Sequence, residues 1–370
     1  MIKQAYVLYL AVHDLDPVVR TFTTLLAVPP IPMHADMDVS GALVGAHFTT
    51  QGLYAIGLMA LRGYPRRFDP PGESATKREV RPWVLQQRLA QRGEGACLIG
   101  FLVDDLEAHM ARLGRRGVRF MTPEPSRNLV GRTISVGPEF ACGVEILYNQ
   151  HDPDAYDRWI ATDPHRAPKD VQISPRRPHV VQIAVRHLAA ATATFTELLQ
   201  CDAVPMETEL DRSGNLVGVH FPVNGLESVG LVALRDPTRR HPGPDVDPTQ
   251  LGPWLVQRHL ETQGEGIVLV GLRVDDLDAH TAALRHQGVG FVLDAAAHYA
   301  VGRNNFVDPR TTHGVTVMLA EHDPDAYRRW RATPALRLPG GPSRQRPRGG
   351  PPTPVRADRA VEGKHLRLRK

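Results

Sequence analysis

The chain repeats itself. Tyr6 to Leu15 (YVLYLAVHDL) is matched by His179 to Leu188 (HVVQIAVRHL), Val44-Gly45-Ala46-His47-Phe48 by Val217-Gly218-Val219-His220-Phe221, and His151-Asp152-Pro153-Asp154-Ala155-Tyr156 by His322-Asp323-Pro324-Asp325-Ala326-Tyr327. The longest match sets Gly93-Glu94-Gly95 and the apolar run to Val103-Asp104-Asp105-Leu106 against Gly264-Glu265-Gly266 and the run to Val274-Asp275-Asp276-Leu277. A period this long makes each half a structural unit with its own fold. The spacing changes only around Gly63–Arg81 and Asp236–Gly252, stretches rich in Pro and charge, as surface connections are.

Each half contains a shorter repeat. An apolar strand ends at Val-His-Asp-Leu or Val-Asp-Asp-Leu, and a helical pattern follows. The Asp before the helix is a natural N-cap, and Gly117-Val118 and Gly288-Val289 are natural stops. Three further strand-like runs complete each unit, near Ile31–His34, Ala42–Thr49 and Leu53–Leu61 in the first, and near Arg119–Met121, Thr133–Val136 and Gly143–Tyr148 in the second. The expected fold is α+β, with four βαβββ modules in two tandem domains. Domain 1 spans 1–156, a Pro-rich linker 157–178, domain 2 179–333, and a basic Pro/Gly/Arg-rich tail 334–370.

The net charge of +4 hides an uneven distribution: from Pro334 onward there are ten Arg and Lys against two acids, about +8, so the rest carries about −4 (4 minus 8). A basic tail on a mildly acidic body does not make a nucleic-acid-binding domain. The tail is poor in apolar residues and is expected to be disordered and dispensable for the fold. No run of about eighteen apolar residues is present, which excludes a membrane-spanning helix. The N-terminus lacks a signal-peptide layout, and three scattered cysteines, Cys97, Cys142 and Cys201, suit a reducing cytoplasm and give no zinc spacing.

Gly264-Glu265-Gly266 leading into Val274-Asp275-Asp276-Leu277, and Phe306-Val307-Asp308-Pro309-Arg310-Thr311-Thr312-His313-Gly314-Val315, resemble the vicinal oxygen chelate superfamily (glyoxalases, bleomycin-resistance proteins, extradiol dioxygenases), with methylmalonyl-CoA epimerase the nearest local resemblance. The resemblance implies two cupped mixed sheets, each around a divalent metal held by His, Gln or Glu on the first and last strands of the modules. It places the first-strand ligands at Val7, Leu98, Val180 and Leu269, and the last-strand ligands at Gly57, Leu147, Gly230 and Met318. All are apolar or Gly, and hard or borderline cations need imidazole or carboxylate. The resemblance therefore implies a metal-free protein with no cofactor. A one-residue slip would bring His179 into place, but strand side chains alternate faces, and the other positions would stay empty.

Residues two apart on a strand share a face, so Tyr9 and Gln182 face the same way as Val7 and Val180. Tyr9 and Gln182 are candidate ligand-binding residues, with Ser228, Thr316 and, at the rim, Arg273. Glu145 is the one acid expected in the first cup, where apolar surroundings would raise its pKa and suit it to act as a general base. His47 and His220 recur at one strand position and are candidate acid–base residues, one per domain. His109 and His280 are expected on helix surfaces, and Trp83 and Trp254 in packing roles. The expected partner is a small oxygenated or aromatic molecule; nucleic acid and membrane are not expected, and a homodimer is left open. The first functional reading is a metal-independent lyase or isomerase-like catalyst. The alternative is a protein that sequesters a small molecule, and a metal-dependent extradiol-type dioxygenase comes third. The second cup, with its apolar floor and few polar groups, is expected to be the more ligand-competent.

Overall fold

A computed structural model describes residues 1–326 apart from 34–40, 64–66, 71, 73–75, 129, 156–173, 207–213, 244–249 and 300. The expected tail lies outside the described residues. The four-module architecture is present. Domain 1 comprises β1 (Ile2–Ala11), α1 (Leu15–Leu26), β2 (Ile31–Pro32), β3 (Leu43–Thr49), β4 (Ala55–Leu61), α2 (Lys77–Arg92), β5 (Gly95–Val103), α3 (Leu106–Arg115), β6 (Ser126–Asn128), β7 (Gly131–Val136) and β8 (Glu145–His151). Domain 2 comprises β9 (Arg177–Ala184), α4 (Leu188–Leu199), β10 (Val204–Pro205), β11 (Leu216–Pro222), β12 (Ser228–Leu234), α5 (Leu251–Thr262), β13 (Gly266–Arg273), α6 (Leu277–His286), β14 (Ala297–Tyr299), β15 (Gly302–Val307) and β16 (Thr316–His322).

Each domain is one eight-stranded sheet, in the order β2-β3-β4-β1-β5-β8-β7-β6 and, in the second copy, β10-β11-β12-β9-β13-β16-β15-β14. The modules join antiparallel at β1 and β5, while β1 pairs with β4 and β5 with β8 in parallel. Alternation along the strands builds two apolar layers. Leu8, Leu10, Ile99, Ile146 and Tyr148 face one way, into a core shared with Val181, Ile183 and Phe195 of the other half. Val7, Tyr9, Leu98 and Leu147 face the other way, where Leu85 and Leu89 of α2 cover the first cup. Leu251, Leu255 and Leu260 of α5 cover the second.

Asp14, Asp105 and Asp276 cap α1, α3 and α6 with their side chains, whereas α4 begins at His187, which supplies no side-chain cap. The helices α3 and α6 stop at Gly117 (φ 80°) and Gly288 (φ 83°). The strand expected at Arg119–Met121 contributes only an isolated bridge, Phe120 to Val136, and the edge strand forms later, at Ser126–Asn128. The end of the expected linker is structured. Ser174 Oγ donates to the Leu26 carbonyl (2.6 Å) and Arg176 to the Thr24 carbonyl (3.2 Å), closing the C-terminus of α1, and β9 begins at Arg177. Among the described residues no helix is long and apolar enough to cross a membrane.

The two halves dock through the Gly-Glu-Gly repeat. A Cβ at Gly143 would stand 2.0 Å from the Glu265 carbonyl oxygen, and one at Gly314 would stand 2.6 Å from that of Glu94. Both glycines have positive φ (80° and 82°), a conformation that other residues adopt only at a cost. Glu94 accepts from the His13 backbone and contacts His313 Nδ1 at 2.8 Å across the junction.

Candidate functional site

The first cup contains a concavity of about 560 Å³ of empty space, counting its open mouth. Val7, Met33, Leu43, Met59 and Leu147 form apolar walls, and Tyr9, Arg81, Thr133 and Asn149 contribute polar groups. Tyr9 is positioned by β1, opposite Gly57 of β4. His47 of β3 also faces Gly57, and its Nε2 lies 2.7 Å from the Tyr9 hydroxyl, both side chains being buried. Gly57 makes this pair feasible: a Cβ there would sit 2.3 Å from the Tyr9 ring and 3.1 Å from His47. Which partner donates depends on the His47 tautomer.

Glu145 opens β8 and is buried in the first cup, as the sequence suggests, but not in apolar surroundings. Arg81, projecting from α2, meets it at 2.8 Å, with the two side chains 13% and 7% exposed. The contact is ionic; its angles fall short of a hydrogen bond at Oε1. The carboxylate expected to act as a base is thus committed to a guanidinium. Arg81 was not singled out in the sequence, although an Arg on the apolar face of a helix carrying Val80, Leu85 and Leu89 is the available signal. Nearby, burial pushes the Cys97 thiol up to about 12, so it behaves as a small packing group.

The second cup repeats the strand positions with different side chains. Gln182 takes the place of Tyr9 opposite Gly230, and it points its amide at Met206 Sδ (3.8 Å) instead of reaching His220. His220 pairs with Ser228 (Nδ1 to Oγ, 3.2 Å), and burial lowers its pKa to about 4. His47 and His220 therefore belong to separate cups with different partners. Thr316 is buried in β16 beside Leu269, among the apolar residues under α5. Arg273 ends β13 at the rim, as expected, where it donates to Glu227 Oε1 (3.2 Å).

That rim carries a constellation the sequence reading did not assemble. His179 Nδ1 stands 3.5 Å from Glu227 Oε2, and His322 Nδ1 stands 3.9 Å from the same oxygen. The strict alternation that argued against His179 is broken by a bulge. Pro178 pairs with Leu272 and Val180 with Gly271, leaving His179 as the extra residue. Its ring therefore lies on the concave side with Val180, next to Gly271. Tyr6 is the extra residue at the same place in β1, between Ala5 and Val7.

Two other expectations change. His109 is not on a helix surface: it is fully buried against the Tyr148 ring (4.2 Å between centroids) and receives Gln200 Nε2 at 3.0 Å. Its pKa falls to about 4, chiefly through burial and then through Arg112. His280 is half-buried. Trp254 packs in the cluster under α5 with the Arg258 guanidinium over its ring, as a packing role requires.

Residues 176–319, most of the second domain, match the sequence model of the Glyoxalase/Bleomycin resistance protein/Dioxygenase superfamily. The second domain carries that superfamily's sequence pattern, and the first repeats its strand order. A triple mutant of 4-hydroxymandelate synthase from Streptomyces coelicolor is similar along 87% of this chain and 93% of its own, with a TM-score of 0.59 at 13% identity. A xylose isomerase-like TIM barrel/4-hydroxyphenylpyruvate dioxygenase fusion protein gives a TM-score of 0.53 at 13% identity, along 87% of this chain and 49% of its own. Methylmalonyl-CoA epimerase from Mycobacterium tuberculosis aligns with 41% of this chain and 91% of its own at 25% identity, with a TM-score of 0.33. No curated protein sequence matches the chain. At 13% identity the synthase and the fusion protein show the fold alone.

The superfamily's expected metal positions can be tested against this donor set. Val7, Leu98 and Leu147 lie in the apolar cluster of the first cup, with Gly57 beneath Tyr9. Val180, Leu269 and Met318 lie in that of the second, with Gly230 beneath Gln182. Hydrocarbon and a single thioether do not fit a divalent cation at either cup centre.

Proposed function

We propose that the first domain's cup, and not the second as the sequence suggests, binds a small, largely apolar molecule carrying an oxygen function, an aromatic oxyacid being the class that fits. The carrying observation is the composition of the concavity: apolar walls with the Tyr9 hydroxyl, backed by His47, and the Arg81 guanidinium on one surface. Tyr9 would hydrogen-bond the ligand's oxygen while His47 fixes the hydroxyl, and guanidinium N–H groups of Arg81 not turned to Glu145 would donate to a second oxygen of the ligand. Binding is achieved here without a metal at the cup centre. The similar structures named for 4-hydroxymandelate and 4-hydroxyphenylpyruvate supply the probes.

Calorimetric titration with these two compounds, and native mass spectrometry of the purified chain, test the reading. Tyr9→Phe should weaken binding several-fold, since a lost hydrogen bond costs about 0.5–1.5 kcal/mol. Leu147→Trp should abolish binding by filling the cup. Normal binding by Leu147→Trp, or no cup ligand with any aromatic acid, would overturn the proposal. The Tyr9–His47 contact favours a second reading, a lyase or isomerase-like catalyst, because a phenol backed by imidazole can donate or accept a proton. Product formation, or deuterium uptake by the bound compound in heavy water, would select it over sequestration.

A further inference from the structure

We infer that the rim of the second domain's cup is a binding site for a divalent first-row transition cation, held by His179, Glu227 and His322. One ligating atom from each lies within 4.8 Å of the other two. Zinc-type bonds of about 2.0–2.2 Å would draw such donors to roughly 3–4 Å apart, which small side-chain rotations achieve. The imidazole rings of His179 and His322 stand edge to face, 5.0 Å between centroids. Both are buried, at 5% and 9% exposure, and each turns its Nδ1 to the same carboxylate oxygen, Glu227 Oε2. Gly271 provides the space, since a Cβ there would stand 2.7 Å from His179 Nε2. The cluster adjoins the cup centre, whose own positions Val180, Leu269 and Met318 supply no such donors.

The internal repeat supplies the comparison. The same backbone positions in domain 1 carry Tyr6, Tyr54 and His151. The backbone is preserved: Tyr54 N–H donates to the Tyr6 carbonyl at 2.7 Å, and Glu227 N–H donates to the His179 carbonyl at 2.7 Å. In domain 1 the three rings pack on one another, with Tyr6 5.0 Å from both Tyr54 and His151. The fold therefore fills this corner with stacked rings where ligation is not required. Domain 2 puts two imidazoles and a carboxylate there instead. Leu102 of domain 1 is matched by Arg273, which holds Glu227 Oε1 and leaves Oε2 directed at the histidines, as an outer partner orients a ligating carboxylate. Two imidazoles and one carboxylate suit zinc, iron(II) or cobalt(II) over calcium or magnesium, and leave positions open for water or a further ligand.

The test uses the full chain, stripped with chelator and titrated with cobalt(II) while the visible d–d bands are followed, then with zinc(II) in competition. One equivalent should bind, and zinc should raise the melting temperature as its concentration passes the dissociation constant. Glu227→Gln should lower cobalt affinity at least tenfold, and His322→Gln should do the same, with circular dichroism confirming that each variant folds. His151→Phe and Tyr9→Phe should bind cobalt normally, which separates this site from the ligand cup of the first domain. Absence of cobalt bands, cobalt binding unaltered by both ligand variants, or stabilisation by inorganic phosphate with none by zinc would overturn the inference.

Discussion

Glycine 57 and glycine 230 occupy equivalent strand positions, yet they should respond differently to the same change. A methyl group at Gly57 meets the Tyr9 ring at 2.3 Å, a contact that atoms do not tolerate, whereas one at Gly230 meets Gln182 and His220 at 3.4 and 3.7 Å, which is ordinary packing. Gly57→Ala should therefore break the Tyr9–His47 pair and destabilise by about 1–3 kcal/mol, as overpacking does. Gly230→Ala should be near neutral, and urea denaturation of the two variants measures the contrast. The Arg81–Glu145 pair makes a second prediction at this scale. Arg81→Met strands a buried carboxylate and should cost about 3 kcal/mol. Arg81→Met combined with Glu145→Leu should recover most of that loss, because removing both charges leaves nothing to desolvate. If the double variant is as unstable as the single one, the pair does not interact as its distance implies.

At the scale of elements, three of the four module-opening helices carry the Asp cap legible in the sequence, and α4 does not. Asp105→Ala and Asp276→Ala should each cost about 1 kcal/mol, while His187→Asp should add stability by supplying a missing cap. Thermal melts of the three variants decide this. The repeat, the strand–helix order and the facing of Tyr9, Gln182 and Glu145 could all be read from residue order, because they follow from local periodicity and from side-chain alternation. What could not be read depends on departures from periodicity. The bulge at His179 cancels alternation for one residue, and nothing in Pro178-His179-Val180 announces it. Arg81 escaped notice because α2 belongs to the connection between modules, and only tertiary packing brings it over Glu145. His109 sits on a helix whose polar face is covered by Gln200 of the other domain, a contact that no single-helix pattern contains.

For the molecule as a whole, the burial of His109 makes stability depend on pH. The pKa of buried His109 lies at about 4 in the folded chain against an ordinary 6.5, so between those values the unfolded chain binds the additional proton. Stability then rises with pH across this window and is lost as the pH falls from about 6.5 toward 4, at up to about 1.4 kcal/mol per unit for one such group. His220 and His259, lowered to about 4 and about 3, add in the same direction. His109→Gln should flatten the acid limb of a melting-temperature profile, and an unchanged limb would show that carboxylates govern it. The reciprocal seating of Gly143 on Glu265 and of Gly314 on Glu94 has a further consequence. The halves clasp each other through two copies of one contact, as subunits of a symmetric dimer do, and the covalent connection between them acts mainly by raising their effective concentration. Residues 1–156 and 174–326, produced as separate polypeptides in one cell, should therefore co-purify as a nicked but intact pair, while Gly143→Val, which drives side-chain atoms into the clasp, should let them part.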